Sequence, residues 1–350
     1  MTMTKITKPP GWANPRSQPF VGSNIHYTRF HQLYGIKVGQ WRARWNNGDL
    51  LDFPPIIQLQ TMSGCNANCV FCPQQQIKDM FPEETISDEL FEKIVAQCAE
   101  EPNFHGMGFV LQNEPMRDPK LFDRIRHFRN KVHTNAMTFM VTNGTLLTPE
   151  NQEKLIECGI DAMHISCNGY GKEDFEVINE GKSWDEFKTN LESFLEKDLS
   201  RTAVMMSFVR SNLYREELDK AIAYWRERGF HCFVHGVNNR GGLVEDYEKY
   251  EIKMENEPFG KRMQKHFMKW FIGCCPYPFI QMSVLASGKV LICTHDWSRK
   301  QIIGDLNEQS VREVWNGPVM KEIRMKLLSG RDKEVPSCEC CDVYHNATFV

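Results

Sequence analysis

A six-fold alternation dominates the chain. Between residues 56 and 237, short apolar runs alternate with segments of helical period. The runs are Ile56–Gln60, Met107–Leu111, Thr138–Val141, Ala162–Ser166, Ala203–Val209 and His231–Val237. Several segments between them carry their own end signals. Ser87 precedes acidic Asp88 and Glu89, with Leu90, Phe91, Ile94, Val95 and Cys98 on one face. Thr148 and Pro149 read as an N-cap followed by proline in the first turn, and Gly159 as the residue past the end. Ser183 and Glu186 are spaced as a capping box, and Arg215 to Arg228 keeps a helical period up to Gly229. Crossovers between parallel strands are right-handed almost without exception. Six strand-then-helix units in series therefore predict an α/β fold with a parallel sheet, either open and doubly wound or closed toward a barrel.

Composition bounds the rest. A length of 350 residues suggests two compact units at about 150 residues each. With 41% hydrophobic and 25% charged residues, disorder, collagen and coiled coil are excluded. The formal net charge is −3 and basic residues are interspersed with acidic ones, so nucleic acid is not an expected partner. No apolar run reaches the roughly 18 residues of a membrane span. Met1 to Pro15 lacks the apolar core of a signal peptide, and the expected location is cytoplasmic. The rhythm breaks after Asn238. The expected division is an N-terminal extension (1–54), a sheet domain (55–240), a polar linker or helical segment (241–272) and a small cysteine-rich unit (273–350), with a hairpin at Ser287 and Gly288.

Thirteen cysteines without a secretion signal argue against a disulfide framework. Cys65, Cys69 and Cys72 form C-x3-C-x2-C in the loop after the first strand. In βα architectures such loops form the active-site face. Three thiolates on one loop suit an iron–sulfur cube with one iron left open to a small molecule. Structural zinc, which wants four closed ligands, and simple thiol packing are the alternatives.

C-x3-C-x-aromatic-C, with Phe71 as the aromatic, resembles the signature of the radical S-adenosylmethionine (SAM) enzymes. Three later loops support the resemblance. Gln112, Asn113, Glu114 and Pro115 are similar to the family's G-G-E-P stretch; both glycines are replaced, so contact with the amino group of SAM falls to Glu114. Thr142, Asn143 and Gly144 resemble its T-N-G turn. Ser166, Cys167, Asn168 and Gly169 resemble the S-x-N-G stretch beside the carboxylate and ribose of SAM. The resemblance covers about residues 55–240. It implies a partial (β/α)6 barrel, a [4Fe-4S] cluster on Cys65, Cys69 and Cys72, and reductive cleavage of SAM to a 5′-deoxyadenosyl radical. The implied SAM contacts are Phe71, Gln112, Asn113, Glu114, Asn143, Ser166 and Asn168, and a flavodoxin or ferredoxin is the implied electron donor.

Cys275, Gly288 and Cys293 read C-x12-G-x4-C, and Cys338 with Cys341 adds C-x2-C. Four thiolates there suit either zinc or a second four-iron cluster. The stretch resembles the twitch domain, the short form of SPASM, which implies one auxiliary cluster on Cys275, Cys293, Cys338 and Cys341. Cys274 and Cys340 stand beside these as spare thiols or alternative ligands. Among single residues, Cys98, Cys158 and Cys232 read as core. Cys167 is either packed or a hydrogen-atom donor. Arg210, His235, Asn238 and Arg240 end strands and either bind substrate, act as a base or are simply solvated.

The resemblance implies an oxidoreductase, a dehydrogenase or epimerase acting at a hydroxyl-bearing carbon of a sugar or aminocyclitol in natural-product (antibiotic) biosynthesis. The alternatives are modification of a ribosomally made peptide, against which only about 54 residues precede the first strand, and a non-catalytic iron–sulfur or zinc protein.

Overall fold

The computed structural model describes residues 51–244, 246–250 and 274–342. The N-terminal extension up to residue 50 and most of the linker expected at 241–272 lie outside the described residues. Six parallel strands follow the expected order: β1 (Ile56–Leu59), β2 (Gly106–Gly108), β3 (Met137–Thr142), β4 (Ala162–Ser166), β5 (Ala203–Arg210) and β6 (His231–Gly236). Between them lie α1 (Gln74–Met80), α2 (Asp88–Ala99), α3 (Leu121–Lys131), α4 (Pro149–Cys158), α5 (Lys172–Ile178), α6 (Trp184–Leu195) and α7 (Arg215–Glu227). Helices start where the sequence announces them. Ser87 accepts from the Leu90 amide, Thr148 from Asn151 and Ser183 from Glu186, while Gly159 closes α4 at φ 71°.

β2 is shorter than its apolar run, and crowding explains why it carries glycines. A Cβ on Gly106 would lie 2.4 Å from the Met137 carbonyl oxygen, and one on Gly108 would lie 2.4 Å from the Phe139 ring. Beyond Gly108 the chain leaves the ladder, with the Leu111 amide turning to the Asn113 side chain at 2.9 Å.

The C-terminal segment returns to the same sheet. β7 (Gln281–Val284) pairs parallel with β1, Ile57 opposite Met282. β8 (Lys289–Leu291) and β9 (Ile302–Asp305) then extend the edge antiparallel, giving the order β9-β8-β7-β1-β2-β3-β4-β5-β6. The expected hairpin at Ser287 and Gly288 joins β7 to β8. α8 (Tyr277–Ile280) leads into β7, and α9 (Val311–Trp315) and α10 (Pro318–Leu328) follow β9. Ser310 and Glu313 close a full capping box on α9.

Alternation along the strands divides two faces. Ile57, Leu59, Met107, Met140, Met163, Ile165, Val204, Met206 and Phe208 join one large core against the helices, which also takes in Met282, Val290 and Trp315. The other face holds Ile56, Phe139, Ala162, Ala203 and Met205 at one end. Toward the C-terminal ends of the strands it turns polar, through Gln58, His164, Ser166, Ser207 and His235. Apolar residues plug the bottom of the barrel and polar ones line its mouth. Among the described residues, no helix is long and apolar enough to cross a membrane.

Candidate active site

Three loops meet at the mouth. The cysteine loop leaves β1, passes Gly64 in left-handed conformation (φ 82°) and bridges to Asn113 in the loop after β2. The Glu114 amide donates to the Gly64 carbonyl at 2.9 Å. Arg117 braces the same turn, donating to the Ser63 carbonyl at 3.0 Å and gripping Glu83 through both its Nη atoms. A Cβ on Gly64 would lie 2.2 Å from the Arg117 guanidinium and sit on a backbone of φ 82°, so a side chain there would strain the turn and push Arg117 aside.

Glu114 is the hub. Only 2% exposed, its carboxylate accepts from the Met116 amide at 3.2 Å, the Thr142 hydroxyl at 2.8 Å and the Asn143 amide at 2.7 Å. Burial nevertheless holds its pKa above the ordinary carboxylate value. Asn143 then turns its side chain on the cysteine loop. Its Nδ2 donates to Asn66 Oδ1 at 2.8 Å and lies 3.6 Å from Cys65 Sγ. Asn66 donates to the Thr145 hydroxyl at 2.9 Å, and that hydroxyl donates back to Asn143 Oδ1 at 2.5 Å. On the far side, Asn68 and Cys69 pair antiparallel with Glu180 and Asn179, and the Cys69 thiol lies 3.7 Å from Asn179 Oδ1. Lys182, 6% exposed, lies 3.5 Å from the same oxygen.

Two thiols of the first set, Cys65 and Cys72, resist ionisation. Burial and then the Glu114 charge raise Cys65, and burial and then Cys69 push Cys72 up to about 12. Such a set becomes thiolate only when a cationic group binds, as metal coordination requires. Asn143, already directed at Cys65 Sγ, is the kind of donor that orients a cluster ligand. These residues fit a cluster.

The second set lines one cavity, in which Cys275, Cys293, Cys338 and Cys341 stand together with Tyr277, Ile292 and Leu327. Burial first, and then neighbouring thiols, raise Cys275 and Cys293, and Cys338 reaches about 12. Among the described residues no three Cys, His, Asp or Glu side chains close to single-ion distance, so the four thiols stand around a space rather than on a point. Ser337 Oγ and His295 Nδ1, from residues lining the same cavity, are buried with no partner. A sulfur-rich cluster suits four convergent thiols with unpaired polar atoms beside them. Cys274 is buried outside the lining, and Cys340 is exposed with its Sγ 3.4 Å from the Gly241 carbonyl.

Other expected site residues go elsewhere. Gln112, at φ 54°, donates to the Asp296 carbonyl at 3.0 Å and accepts at its own carbonyl from Gln74. Asn113 spends its side chain on Leu111 and Met62. Phe71 packs edge-on against Tyr250, ring centroids 5.5 Å apart. Asn168 accepts from the Val209 amide at 2.8 Å, so it shapes the loop between β4 and β5; Ser166 faces the mouth in register with Ser207. Cys167 has no exposed surface, and alternation turns it with Cys232 into the helix-facing core. At the end of β5 the register pairs Val209 with His235 and Arg210 with Gly236, and Arg210 is half-buried. Period-two alternation is the physical reason Cys167 misses the mouth. Asn66 sits inside the cysteine signature and was legible as polar; Asn179 and Lys182 arrive from a distant loop without any local pattern.

Comparison with known proteins agrees with this geometry. The radical SAM superfamily model matches residues 59–224, and the model of the SPASM iron–sulfur cluster-binding domain matches residues 274–342. The chain belongs to the radical SAM superfamily. Within that superfamily it is similar to the AdoMet-dependent heme synthase of Methanosarcina barkeri, 22% identical over 310 residues covering 77% of this chain and 85% of the relative. It is also similar to the S-adenosyl-L-methionine-dependent 2-deoxy-scyllo-inosamine dehydrogenase of Niallia circulans, 20% identical over 288 residues covering 82% and 92%. Two solved structures share the fold. BtrN in complex with AdoMet and 2-DOIA has a TM-score of 0.52 at 17% identity, covering 82% of this chain and 92% of that one. Streptococcus suis SuiB bound to precursor peptide SuiA has a TM-score of 0.60 at 15% identity, covering 81% and 69%.

Proposed function

We propose that this radical SAM enzyme takes a hydrogen atom from a small polar substrate and oxidises a hydroxyl-bearing carbon of a sugar- or aminocyclitol-type molecule. One observation carries the reading. Gln112, two residues before Glu114, donates to the Asp296 carbonyl at 3.0 Å, three residues past Cys293, so the two cysteine sites share a wall. A substrate at that wall lies between them.

When bound, the cluster and SAM supply a 5′-deoxyadenosyl radical as the hydrogen acceptor. The chain supplies the rest. Cys65, Cys69 and Cys72 hold the first centre. Glu114 uses three of about four acceptor positions on its carboxylate, which leaves one for an ammonium group. Cys275, Cys293, Cys338 and Cys341 form the place for the electron that an oxidation releases, and a flavodoxin or ferredoxin is the reductant class we expect for the first centre. Oxidation is favoured over inversion because Cys167, the thiol read as a hydrogen-atom donor, lies in the helix-facing core.

The test begins with iron, sulfide and zinc counts on anaerobically reconstituted protein, where two four-iron clusters give about eight irons per chain. A screen of sugars and aminocyclitols with SAM and reductant follows. A product lighter by two hydrogens supports the reading. A product of unchanged mass makes the enzyme an epimerase, and turnover seen only with a peptide moves it to peptide modification.

A further inference from the structure

Gln112 stands where a side chain is unfavourable twice over. Its backbone is left-handed, at φ 54°, a conformation that glycine takes freely and a residue with a Cβ does not. The residue is 6% exposed, and its Oε1 is buried with no hydrogen-bond partner. A buried acceptor left unmet opposes folding as well. Strain of this kind persists only where the surroundings hold it in place, and it gathers at functional sites.

The side chain grips the auxiliary loop in return. Its Nε2 points at two carbonyls, Asp296 at 3.0 Å and Thr294 at 3.4 Å. Carbonyls only accept, so the nitrogen of the amide faces them and the oxygen faces away. Both carbonyls belong to one turn, in which the Asp296 amide donates to the Cys293 carbonyl at 3.3 Å. Asp296 is 1% exposed, and its carboxylate holds the next stretch by accepting from the Lys300 and Gln301 amides at 3.1 and 3.0 Å. Whatever fixes Cys293 therefore fixes the partners of Gln112.

The backbone of Gln112 reaches the first centre. Its carbonyl accepts from Gln74 Nε2 at 2.7 Å, and Gln74, 2% exposed, lies two residues after Cys72. On its other side Asn113 is pinned to the Met62 carbonyl at 2.8 Å, and the next residue is Glu114. One strained residue thus joins the turn after Cys293, the helix after Cys72 and the loop that presents Glu114.

We propose that Gln112 is a positioning residue that couples the two centres, so that filling the auxiliary site tightens the binding of SAM at the first. Ligation fixes Cys293, and through its turn the Asp296 and Thr294 carbonyls. These hold the left-handed backbone from which Glu114 is presented, and losing the auxiliary centre slackens all three. The coupling rests on the auxiliary ligands proposed above and is independent of which substrate is oxidised. It is also reciprocal: SAM strengthens the auxiliary site by the same factor.

The test measures SAM affinity by equilibrium dialysis on anaerobically reconstituted parent protein, C293A, Q112G and the double variant, with iron counted in each. Glycine keeps the left-handed backbone, so Q112G removes the bridge without disturbing the turn. C293A loses about half the iron and binds SAM about tenfold more weakly, though excess SAM still fills its first site. Q112G keeps all its iron and loses SAM affinity to a similar degree, and adding C293A to it weakens SAM no further. The same coupling shows from the other end. Against a competing iron chelator, saturating SAM protects the auxiliary irons of the parent protein and not those of Q112G. Unchanged SAM affinity in Q112G, or a full further loss in the double variant, overturns the proposal. No protection in the parent, or equal protection in Q112G, overturns it as well. If C293A keeps all its iron, the auxiliary centre lies elsewhere and the coupling falls with it. If C293A loses the iron but keeps its SAM affinity, the ligand assignment stands and the coupling alone fails.

Discussion

The two cysteine sites differ in what surrounds them. Around Cys65, Cys69 and Cys72 the groups that touch the cysteine loop satisfy one another, Glu114 by two amides and a hydroxyl, Asn143 by Asn66 and Asn66 by Thr145, although Oε1 of Gln74 and of Gln112 stay unpartnered nearby. Around Cys275, Cys293, Cys338 and Cys341 the walls are largely apolar, and two polar atoms, Ser337 Oγ and His295 Nδ1, wait without partners. Both sites use the same turn, the Cys72 amide donating to the Cys69 carbonyl at 2.9 Å and Cys341 to Cys338 at 3.2 Å. The turn is therefore not what separates them. A pre-satisfied polar shell keeps its shape before anything binds and can present one face to a ligand. An enclosed cavity with open donors is completed by its contents, which suits a centre that holds an electron and touches no substrate.

Removing one thiol from each site breaks this comparison most directly. Cys72→Ala is expected to lose about four irons per chain and all SAM cleavage. Cys293→Ala is expected to lose the same iron count, keep 5′-deoxyadenosine formation and lose substrate oxidation. Iron analysis with quantified 5′-deoxyadenosine and product checks both. If Cys293→Ala also stops SAM cleavage, the two sites do not divide the work.

Glu114→Gln sharpens the first half. The amide keeps the size but removes the charge that an ammonium group would meet. Hydrogen bonds to charged groups contribute about 1.5–3 kcal/mol, so SAM affinity is expected to fall about 10- to 100-fold by equilibrium binding. The same variant has a pH signature in the ligand-free protein. Burial raises the Glu114 pKa, so the folded state holds its proton more tightly than the unfolded chain. Its contribution to stability is complete below the ordinary glutamate value and is lost as pH rises through the raised one. Tm measured across that window is expected to fall less steeply with pH in Glu114→Gln than in the parent protein.

The barrel itself was readable because its signals are local. Each apolar run of period two sits next to a helix that names its own ends, as Ser87, Thr148 and Gly159 do, and the cysteine spacing lies within eight residues. The return of β7 onto β1 was not readable. Ile57 and Met282 meet across more than two hundred residues, and nothing in either segment names the other. Lys182 and Asn179 reach the first cysteine loop by the same kind of long-range folding. Cys167 stands between these cases. The alternation that sends it to the core can be read from Ser166 outward, but a motif resemblance assigns positions without assigning faces.

The smallest expected effect tests the difference in shells. Ser337→Ala removes a buried hydroxyl that has no partner inside the protein. An unmet buried donor costs about 1–3 kcal/mol, so the cluster-free variant is expected to be slightly more stable than the parent protein in thermal unfolding. With the cluster in place the sign reverses for a different observable. A donor to cluster sulfur favours the reduced form, and a net hydrogen bond of about 1 kcal/mol corresponds to about 40 mV for one electron. The auxiliary midpoint potential is expected to fall by that order in Ser337→Ala, read by a redox titration followed by EPR. Asn143→Ala is the matching change at the first site, and there the cluster-free protein is expected to lose stability, because Asn143 already bonds Asn66 and Thr145. If both variants shift cluster-free stability in the same direction, the two shells are not built on different principles.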